Sequence, residues 1–177
     1  MDGCQARVYR VKVIDKSGPF EGTMFNPVID PKQFTLRAAR ADEYEFGLSL
    51  TRSNMLGYYR KHGLGWRNDL FLASWDVSEN YIVEWADIPI GVLRIDVEGD
   101  ALHVRDIHIV STHRNLGAGT FLLARARDIG RARGLRVLRL RVFSDNPAAV
   151  LYRRVGFRTV GEERHLGPIL RMESPIF

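Results

Sequence analysis

Two glycines, Gly117 and Gly119, lie in a short segment that reads RNLGAGT and that Arg114 opens. Glycine has no Cβ atom, so a loop of this kind lets its backbone approach a ligand closely. The arginine-bearing apolar stretch that follows is typical of a helix, and the N–H groups at a helix start attract anions. The spacing therefore predicts a cradle for a pyrophosphate, although glycines ahead of helices also serve as plain turns.

Two well-known phosphate loops do not fit this segment. A Walker loop requires a lysine beside its last glycine, and the sequence has no lysine beyond Lys61. The dinucleotide fingerprint GxGxxG requires a third glycine at the position where Leu122 stands. The predicted cradle is therefore of another type.

A second segment, NPAAVLYRRVGF, begins at Asn146, 32 residues after Arg114. Asn146 followed by Pro147 is typical of a helix start, and Gly156 is typical of a helix end. With the RxxGxG pattern at Arg114, this segment resembles the two acetyl-CoA motifs of the GNAT superfamily of N-acetyltransferases, in the same order and at the usual separation. The resemblance covers about residues 34–173 and implies a mixed, mostly antiparallel central sheet with helices on both faces.

The resemblance implies a set of residues that bind acetyl-CoA. The backbone amides of Leu116–Thr120 are expected to bind the pyrophosphate, and the backbone of Ile109 and Val110 to pair with the pantetheine arm. Asn146 is expected to fix that arm, and its alternative role is a plain helix cap. Arg114 and Arg153 are expected to contact the phosphates, and the alternative is that they only face solvent. The full set is Ile109, Val110, Arg114, Asn115, Leu116, Gly117, Ala118, Gly119, Thr120, Asn146 and Arg153.

Tyr152 matches the family tyrosine that protonates the departing CoA thiolate. A phenol with a pKa near ~10 can donate a proton to a thiolate whose own pKa is about 8.5, taking cysteine as the analogue. The alternative is a tyrosine that only packs on its helix face. We predict that Tyr152 is a catalytic residue.

The proton acceptor for the attacking amine is less sharply defined. An amine with a pKa near ~10.4 is protonated at neutral pH and must lose a proton before it attacks. The family often uses an acidic residue or a water on the strand before the glycine loop, and Asp106 is the only carboxylate between residues 102 and 110. We predict Asp106 as this catalytic residue, with Glu84, His108 or an ordered water as alternatives.

Three histidines, His103, His108 and His113, follow one another at intervals of five residues. Positions five apart on a strand point to opposite faces of the sheet, so these side chains do not converge on one ion. We therefore expect no metal site.

Acceptor recognition is expected from the first helices and the loop after them, a region rich in aromatic residues. Aromatic rings suit an amine or a hydrophobic side chain, and a core or lid role is the alternative. The residues concerned are Tyr58, Tyr59, His62, Trp66 and Asp69.

The elements that must position these residues follow from periodicity. We predict strands over residues 34–39, 70–75, 81–85, 90–97 and 102–110, with a hairpin turn at 98–100, and helices over 42–50 and 55–62. A helix follows the glycine loop from about Thr120 to Gly134, then an alternating strand over 135–143, a helix from Pro147 and strands over 157–160 and 166–172. This order is a mixed α/β domain in which an antiparallel meander leads into a β-α-β unit.

Composition sets the class of protein. The 177 residues suit one domain, predicted over 34–177 after an N-terminal extension over 1–33 that is rich in Gly and Pro. A single cysteine, Cys4, excludes an intrachain disulfide, and the sequence has no apolar run of membrane-spanning length. We expect a cytoplasmic protein, with a homodimer as one possible assembly.

Net charge is +5, but it is unevenly spread: residues 101–177 carry 14 arginines and 6 acidic residues, while residues 1–100 carry 12 basic and 15 acidic. The acidic first part is consistent with a cationic acceptor. We predict direct transfer of acetyl from acetyl-CoA to a primary amine in a ternary complex. The alternatives are a non-catalytic CoA-binding module and, last, a basic nucleic-acid binder, which lacks the aromatic and basic interleaving of such modules. We expect neither a nucleic-acid nor a membrane partner.

Overall fold

The chain divides into two units, Met1–Asp30 and Pro31–Phe177. The computed structural model describes residues 14–15, 18–19, 33–165 and 167–177. In the first unit, β1 (Ile14–Asp15) and β2 (Gly18–Pro19) pair as a two-residue antiparallel ladder. The boundary predicted between residues 33 and 34 stays a prediction.

A seven-stranded mixed sheet forms the centre of the second unit. Its strands are β3 (Phe34–Ala38), β4 (Glu79–Trp85), β5 (Ile88–Glu98), β6 (Ala101–Ile109), β7 (Val137–Phe143), β8 (Arg158–Glu163) and β9 (Ile169–Pro175). The order across the sheet is β3-β4-β5-β6-β7-β9-β8. Only β6 and β7 run parallel; every other pair of neighbours is antiparallel. The predicted fold class is confirmed.

Four helices cover the two faces of this sheet: α1 (Tyr44–Lys61), α2 (Asn68–Val77), α3 (Ala118–Ala132) and α4 (Ala148–Arg154). Leu50 of α1 packs on Ile82 and Val92, which face one side of the sheet. Leu102 of β6 points to the other side, where it approaches α3 at Gly130. None of the described helices is long and apolar enough to cross a membrane.

The structure corrects four of the predicted elements. Residues 70–75, predicted as a strand, lie in α2, and the buried side chains of Phe71 and Trp75 are four residues apart, as on one side of a helix. The two helices predicted over 42–50 and 55–62 are one helix, α1, because no helix-breaking residue separates them. Pro147 precedes α4 instead of opening it.

The remaining elements match the prediction within a few residues. In β7 the buried Leu138, Leu140 and Val142 alternate with more exposed arginines, as the sequence pattern indicated. The β5–β6 turn contains Gly99, whose φ of +61° is a conformation that favours glycine. Strand β9 begins at Ile169, and Leu166, where it was predicted to begin, lies outside the described residues.

Candidate functional site

Strands β6 and β7 diverge after a short paired stretch. They pair from Ala101 with Val137 to Val104 with Leu140, and there the ladder stops. The last five residues of β6 and the last three of β7 run on without each other as partners. Two neighbouring strands that part inside a sheet leave a wedge with unpaired backbone groups on both edges.

The wedge opens into a cavity of about 870 Å³. Its walls come from the second half of β6, the end of β7, the start of α3, the C-terminal half of α1 and α4. A cleft of this size is in the range of small-molecule sites. The cavity thus joins the glycine loop, the strand that carries Asp106 and the helix that carries Tyr152.

The glycine loop closes one end of the cavity. Gly117, the N-cap of α3, has a φ of +96°, a left-handed conformation that favours glycine. The first hydrogen bond of this helical turn is donated by the N–H of Phe121 to the carbonyl of Gly117, at 2.9 Å. Within the described residues, the N–H groups of Ala118, Gly119 and Thr120 have no acceptor, as expected at a helix start without a capping side chain. These N–H groups form an anion-binding end.

Arg114 is exposed, but its guanidinium is hydrogen-bonded within the protein. Its Nε donates to the carbonyl of Ile109 at 3.1 Å, and its Nη2 donates to the side-chain carbonyl of Asn54 on α1. The Asn54 side-chain amide also donates to Ile109 O, at 3.3 Å. The three groups together tie the glycine loop and the end of β6 to α1.

Asn54 is a site residue that the sequence analysis missed. It lies in a helix with no motif around it, 60 residues from Arg114, so no local signal marks it.

Asn146 lies at the mouth of the wedge, between β7 and α4. Its Oδ1 accepts a hydrogen bond from the N–H of Ala148 at 2.9 Å, so the side chain caps the first turn of α4. The residue also lines the cavity. The capping role is therefore present in the structure, and the position suits a contact with a ligand in the wedge.

Tyr152 projects from α4 into the same cavity and is only 8% exposed. Its ring packs against Phe157 with the centroids 5.9 Å apart. Burial, reinforced by the negative charge of Asp106, raises the pKa of Tyr152 to about 12. The phenol therefore keeps its proton throughout the neutral range and can act only as a donor there.

Asp106 is held as a carboxylate in a buried network. Arg94 Nη1 lies 2.8 Å from its Oδ2, and His108 Nε2 lies 3.2 Å from its Oδ1. Burial alone raises the pKa of Asp106, but the hydrogen bond from His108 and the charges of His108, Arg94 and Arg105 outweigh it, so the pKa lies below the usual value. A carboxylate with a lowered pKa attracts a cation well and accepts a proton weakly.

Arg94 was missed by the sequence analysis, although a signal exists. It is the one charged residue within the apolar run IGVLRI of β5 and is only 2% exposed. Its guanidinium lies over the rings of Phe71 and Trp75 on α2, and its Nη2 is 2.5 Å from Ser74 Oγ. A buried arginine requires a carboxylate partner, and Asp106 is that partner.

Aromatic residues form the wall that faces Asp106. Tyr58 of α1 stacks on Phe143 of β7 at 5.9 Å, and Tyr59 meets the same ring edge-on at 6.1 Å. Both tyrosines line the cavity. His62 stacks on Phe143 at 4.8 Å and binds Asp145, so it fastens the end of α1 to the end of β7.

The structure sorts the predicted residues into two groups. Those that line the cavity are Tyr58, Tyr59, Asp106, His108, Ile109, Arg114, Asn115, Gly117, Gly119, Thr120, Asn146 and Tyr152. Those outside its lining are His62, Trp66, Asp69, Glu84, Val110, Leu116, Ala118 and Arg153. Arg154, beside the exposed Arg153, lines the cavity in its place. Glu84 lies two strands from β6 and binds Arg37 at 2.8 Å.

The three histidines occupy separate environments. His103 lies 3.1 Å from Glu98, His108 binds Asp106, and the ring of His113 lies 5.6 Å from that of Trp85. Among the described residues there is no group of three or more side chains arranged to hold a metal ion.

Residues 51–157 match the model of the acetyltransferase (GNAT) family. The structure is similar to the ribosomal-protein-S18-alanine N-acetyltransferase from Escherichia coli, with a TM-score of 0.64 at 20% identity over 81% of this chain and 94% of that one. Ard1 from Thermoplasma volcanium gives a TM-score of 0.67 at 16% identity, over 82% and 99%. The PaiA N-acetyltransferase from Thermoplasma acidophilum, solved in complex with coenzyme A, gives 0.63 at 14% identity, over 80% and 98%.

Proposed function

The chain belongs to the acetyltransferase (GNAT) family, and we propose that it transfers an acetyl group from acetyl-CoA to a primary amine. One observation carries the proposal: the wedge between β6 and β7 joins an anion-binding helix start to a buried phenol and a partly buried carboxylate. A long, thin substrate with phosphates at one end and a thioester at the other fits such a cleft. The PaiA N-acetyltransferase, which shares the fold, was solved with coenzyme A.

The phosphate end of acetyl-CoA belongs at the start of α3. The N–H groups of Ala118, Gly119 and Thr120 have no acceptor among the residues that the structure describes and are therefore available to an anion, and the helix dipole adds to the attraction. Arg154 lines the same cavity and supplies positive charge. Arg114 contributes indirectly, because it fixes the loop to Asn54 and Ile109.

The pantetheine arm belongs in the wedge itself. The N–H of Val110 bonds to the carbonyl of Ile90 on β5 at 2.8 Å, so alternation along the strand turns the backbone groups of Ile107 and Ile109 toward the wedge. The Ile109 carbonyl already accepts from Arg114 and Asn54. The N–H of Ile109 and the backbone of Ile107 remain for an amide of the arm, with Asn146 at the opposite edge.

The reaction we propose is a direct displacement. The amine attacks the thioester carbon, a C–N bond forms, and the C–S bond breaks with its electron pair left on sulfur. Before the attack the ammonium group loses one proton to the Asp106–His108 pair. Tyr152 then donates its phenolic proton to the sulfur, and the proton that the nitrogen loses as the amide forms returns to the Tyr152 phenolate. The products are an N-acetylated amine and CoA, and the step needs no covalent enzyme intermediate.

Within this pair the two residues have different tasks. The lowered pKa of Asp106, set by His108 and Arg94 against the effect of burial, keeps the carboxylate ionised so that it attracts the substrate ammonium. His108, only 8% exposed, donates from its Nε2 to Asp106, so Nδ1 of the neutral imidazole is the atom that takes the proton, while Arg94 stays the cationic partner of Asp106. This division keeps Asp106, the predicted base, as the group that attracts the cation and assigns the proton to His108, which was one of the alternatives.

The test combines binding with turnover. Acetyl-CoA titrated calorimetrically at ~0.15 M salt, where exposed charges are screened beyond ~8 Å, is expected to bind one-to-one. Amine-dependent release of the CoA thiol is expected over a panel of primary amines. Binding without turnover of any amine would indicate a non-catalytic CoA-binding module, and no binding would contradict the whole proposal.

Two glycine variants test whether the phosphates of acetyl-CoA bind at the start of α3. Gly117→Ala imposes a left-handed conformation on alanine at the anion-binding end, and we expect acetyl-CoA to bind roughly tenfold more weakly. Gly134→Ala imposes the same kind of strain, at φ +69°, at the end of α3 that lies away from the cavity. This control is expected to lose stability and keep its affinity. Equal affinities in the two variants would place the phosphates elsewhere.

A further inference from the structure

Two arginines stand at the apex of the wedge, one on each strand. Arg105 follows Val104 and Arg141 follows Leu140, the last residues that pair β6 with β7. Val104 and Leu140 are buried, and alternation turns Arg141 toward the face that carries Phe143 and α1. Both arginines line the cavity. They therefore flank the point where a thioester in the wedge would meet an acceptor.

Each of these guanidinium groups has donors left for a ligand. Arg105 uses its Nε toward Asp96 at 2.5 Å, and Arg141 uses its Nη2 toward Glu163. Neither Asp96 nor Glu163 lines the cavity, and both arginine side chains are nearly half exposed. A guanidinium carries five N–H donors, and ion pairs of this exposure hold weakly. Both arginines are thus able to bind a second carboxylate from the cavity side.

The opposite charge lies one residue further along β6. Asp106 is the only carboxylate among the described residues that line the cavity, while four arginines line it: Arg105, Arg114, Arg141 and Arg154. Asp106 and Arg141 both act on the phenol of Tyr59, with opposite effects on its pKa, although burial is the larger cause of its rise. The acceptor side of the cavity therefore presents negative and positive charge side by side, and it lacks the acidic cluster that a polycation requires.

We propose that the acceptor is a small zwitterion, an amine that carries a carboxylate within a few bonds, as an α-amino acid does. Asp106 attracts the ammonium group, and Arg105 and Arg141 bind the carboxylate. Tyr58, Tyr59 and Phe143 form the wall beside them, which favours an aromatic or large apolar side chain. This inference rests on the proposed acetyl transfer, and it replaces the cationic acceptor that the charge of the first hundred residues suggested.

Matched acceptors test the proposal. Phenylalanine, tyrosine and leucine are each compared with their carboxamides and with their decarboxylated amines, with acetyl-CoA saturating and CoA release as the measurement. The amine pKa is lower in the carboxamide and higher in the decarboxylated amine, so the two neutral counterparts bracket any effect of amine basicity. We expect kcat/KM for each amino acid to exceed both counterparts at least tenfold, as for loss of a charge-assisted hydrogen bond.

Two variants of β7 test whether Arg141 causes the preference for amino acids. Arg141→Gln removes a guanidinium that lines the cavity, and we expect the amino-acid preference to fall at least fivefold through a higher KM for the acceptor. Arg139→Gln is the control, since Arg139 lies on the same face of β7, pairs with Glu173 at 2.6 Å and stays outside the cavity lining. Arg105→Gln makes the same test on β6, and we expect it to lower the amino-acid preference as well.

Three results separate this inference from the proposed function. Preference for the amino acids that Arg141→Gln loses and Arg139→Gln keeps supports it. Transfer to the carboxamides or plain amines at equal or greater kcat/KM, or a preference unchanged in Arg141→Gln, overturns it and leaves acetyl transfer standing. Failure of acetyl-CoA to bind overturns both.

Discussion

A buried phenol, Tyr152, and a partly buried carboxylate, Asp106, face the same cavity, and their pKa values are shifted in opposite directions. Burial and the charge of Asp106 raise the pKa of Tyr152 to about 12, while Arg94 and His108 hold the pKa of Asp106 below its usual value in spite of burial. Environments that shift the pKa values of two titratable groups in opposite directions are typical of sites in which one group acts as an acid and the other as a base. At the scale of single residues, the site is thus ready to give a proton at one end and to attract a cation at the other.

The role of Tyr152 is tested by Tyr152→Phe. The phenyl ring keeps the packing on Phe157 and removes the proton donor, so we expect kcat to fall about 10²-fold with KM for acetyl-CoA changed less than about twofold. Because the pKa of Tyr152 is about 12, the hydroxyl is not expected to cause loss of wild-type activity on the alkaline side below about pH 11. Steady-state kinetics over pH 6–10 provide the measurement.

Tyr81→Phe is the matched control for a lost tyrosine hydroxyl. Tyr81 donates to Glu79 at 2.8 Å, and burial, followed by this hydrogen bond, raises its pKa, but it does not line the cavity. We expect its kcat to stay at the wild-type value. Equal kcat values for Tyr152→Phe and Tyr81→Phe would remove Tyr152 from the mechanism.

At the scale of elements, α1 supplies Asn54, Tyr58 and Tyr59 to the lining of the cavity, so its attachment to the sheet matters. Glu43, at the junction of β3 and α1, provides that attachment. Its carboxylate accepts from both Nη atoms of Arg37, at 2.7 and 2.8 Å, and from the backbone N–H of Arg40, at 2.8 Å. Glu43 is 8% exposed, so these bonds are shielded from water and hold one end of the helix on the first strand of the sheet.

This junction gives the protein an acid-sensitive stability. The hydrogen bond from Arg37, helped by Arg40 and opposed by burial, lowers the pKa of Glu43 to about 2, so the folded state binds this proton less readily than the unfolded chain does. The contribution to the free energy of unfolding is complete above pH ~4.5 and is lost as the pH falls toward ~2. We expect the free energy of unfolding of Glu43→Gln to be about 2 kcal/mol lower than that of the wild type at pH 7.

Urea unfolding at a series of pH values checks this prediction. The difference between wild type and Glu43→Gln is expected to shrink below pH ~4.5. Glu45→Gln, two residues along on the exposed side of α1, is expected to match the wild type throughout. A difference that stays constant from pH 7 to pH 3 would show that the charge of Glu43 is not what stabilises the junction.

At the scale of the whole molecule, β6, β7, α1, α3 and α4 all contribute to the lining of the cavity, which opens where β6 and β7 no longer pair. A ligand seated there contacts elements on both faces of the sheet. Binding to the folded state alone stabilises it by mass action, and the gain depends only on the ratio of ligand concentration to Kd. The wedge therefore ties occupancy to overall stability.

Thermal unfolding with and without acetyl-CoA measures this coupling. At one hundred times Kd the free energy of unfolding rises by about 2.7 kcal/mol, which for a domain of this size raises Tm by roughly 5–10 °C. S-acetylpantetheine at the same concentration has no pyrophosphate for the start of α3, so we expect a much smaller rise. Equal rises with both compounds would indicate that the phosphates lie outside the site.

The sequence by itself determined the local parts of this protein. The glycine turn before α3, the alternation of β7 and the helix around Tyr152 depend on residues within about ten positions of one another, so turn chemistry and periodicity suffice to predict them. Local patterns failed at α2. Its apolar residues form a short, nearly continuous run that fits a strand as well as a helix, and packing of Phe71 and Trp75 against Arg94 favours the helix.

Only the tertiary structure decided how the site is assembled. The divergence of β6 and β7, the pairing of Arg94 with Asp106, and the bond from Asn54 to Ile109, 55 residues away, depend on which strand edges and helix ends meet. Arg105 and Arg141 lie together at the apex of the wedge because each directly follows the last residue of its strand that pairs with the other strand. Such contacts are set by the packing of the whole sheet against its helices, and for that reason no local pattern in the chain announces them.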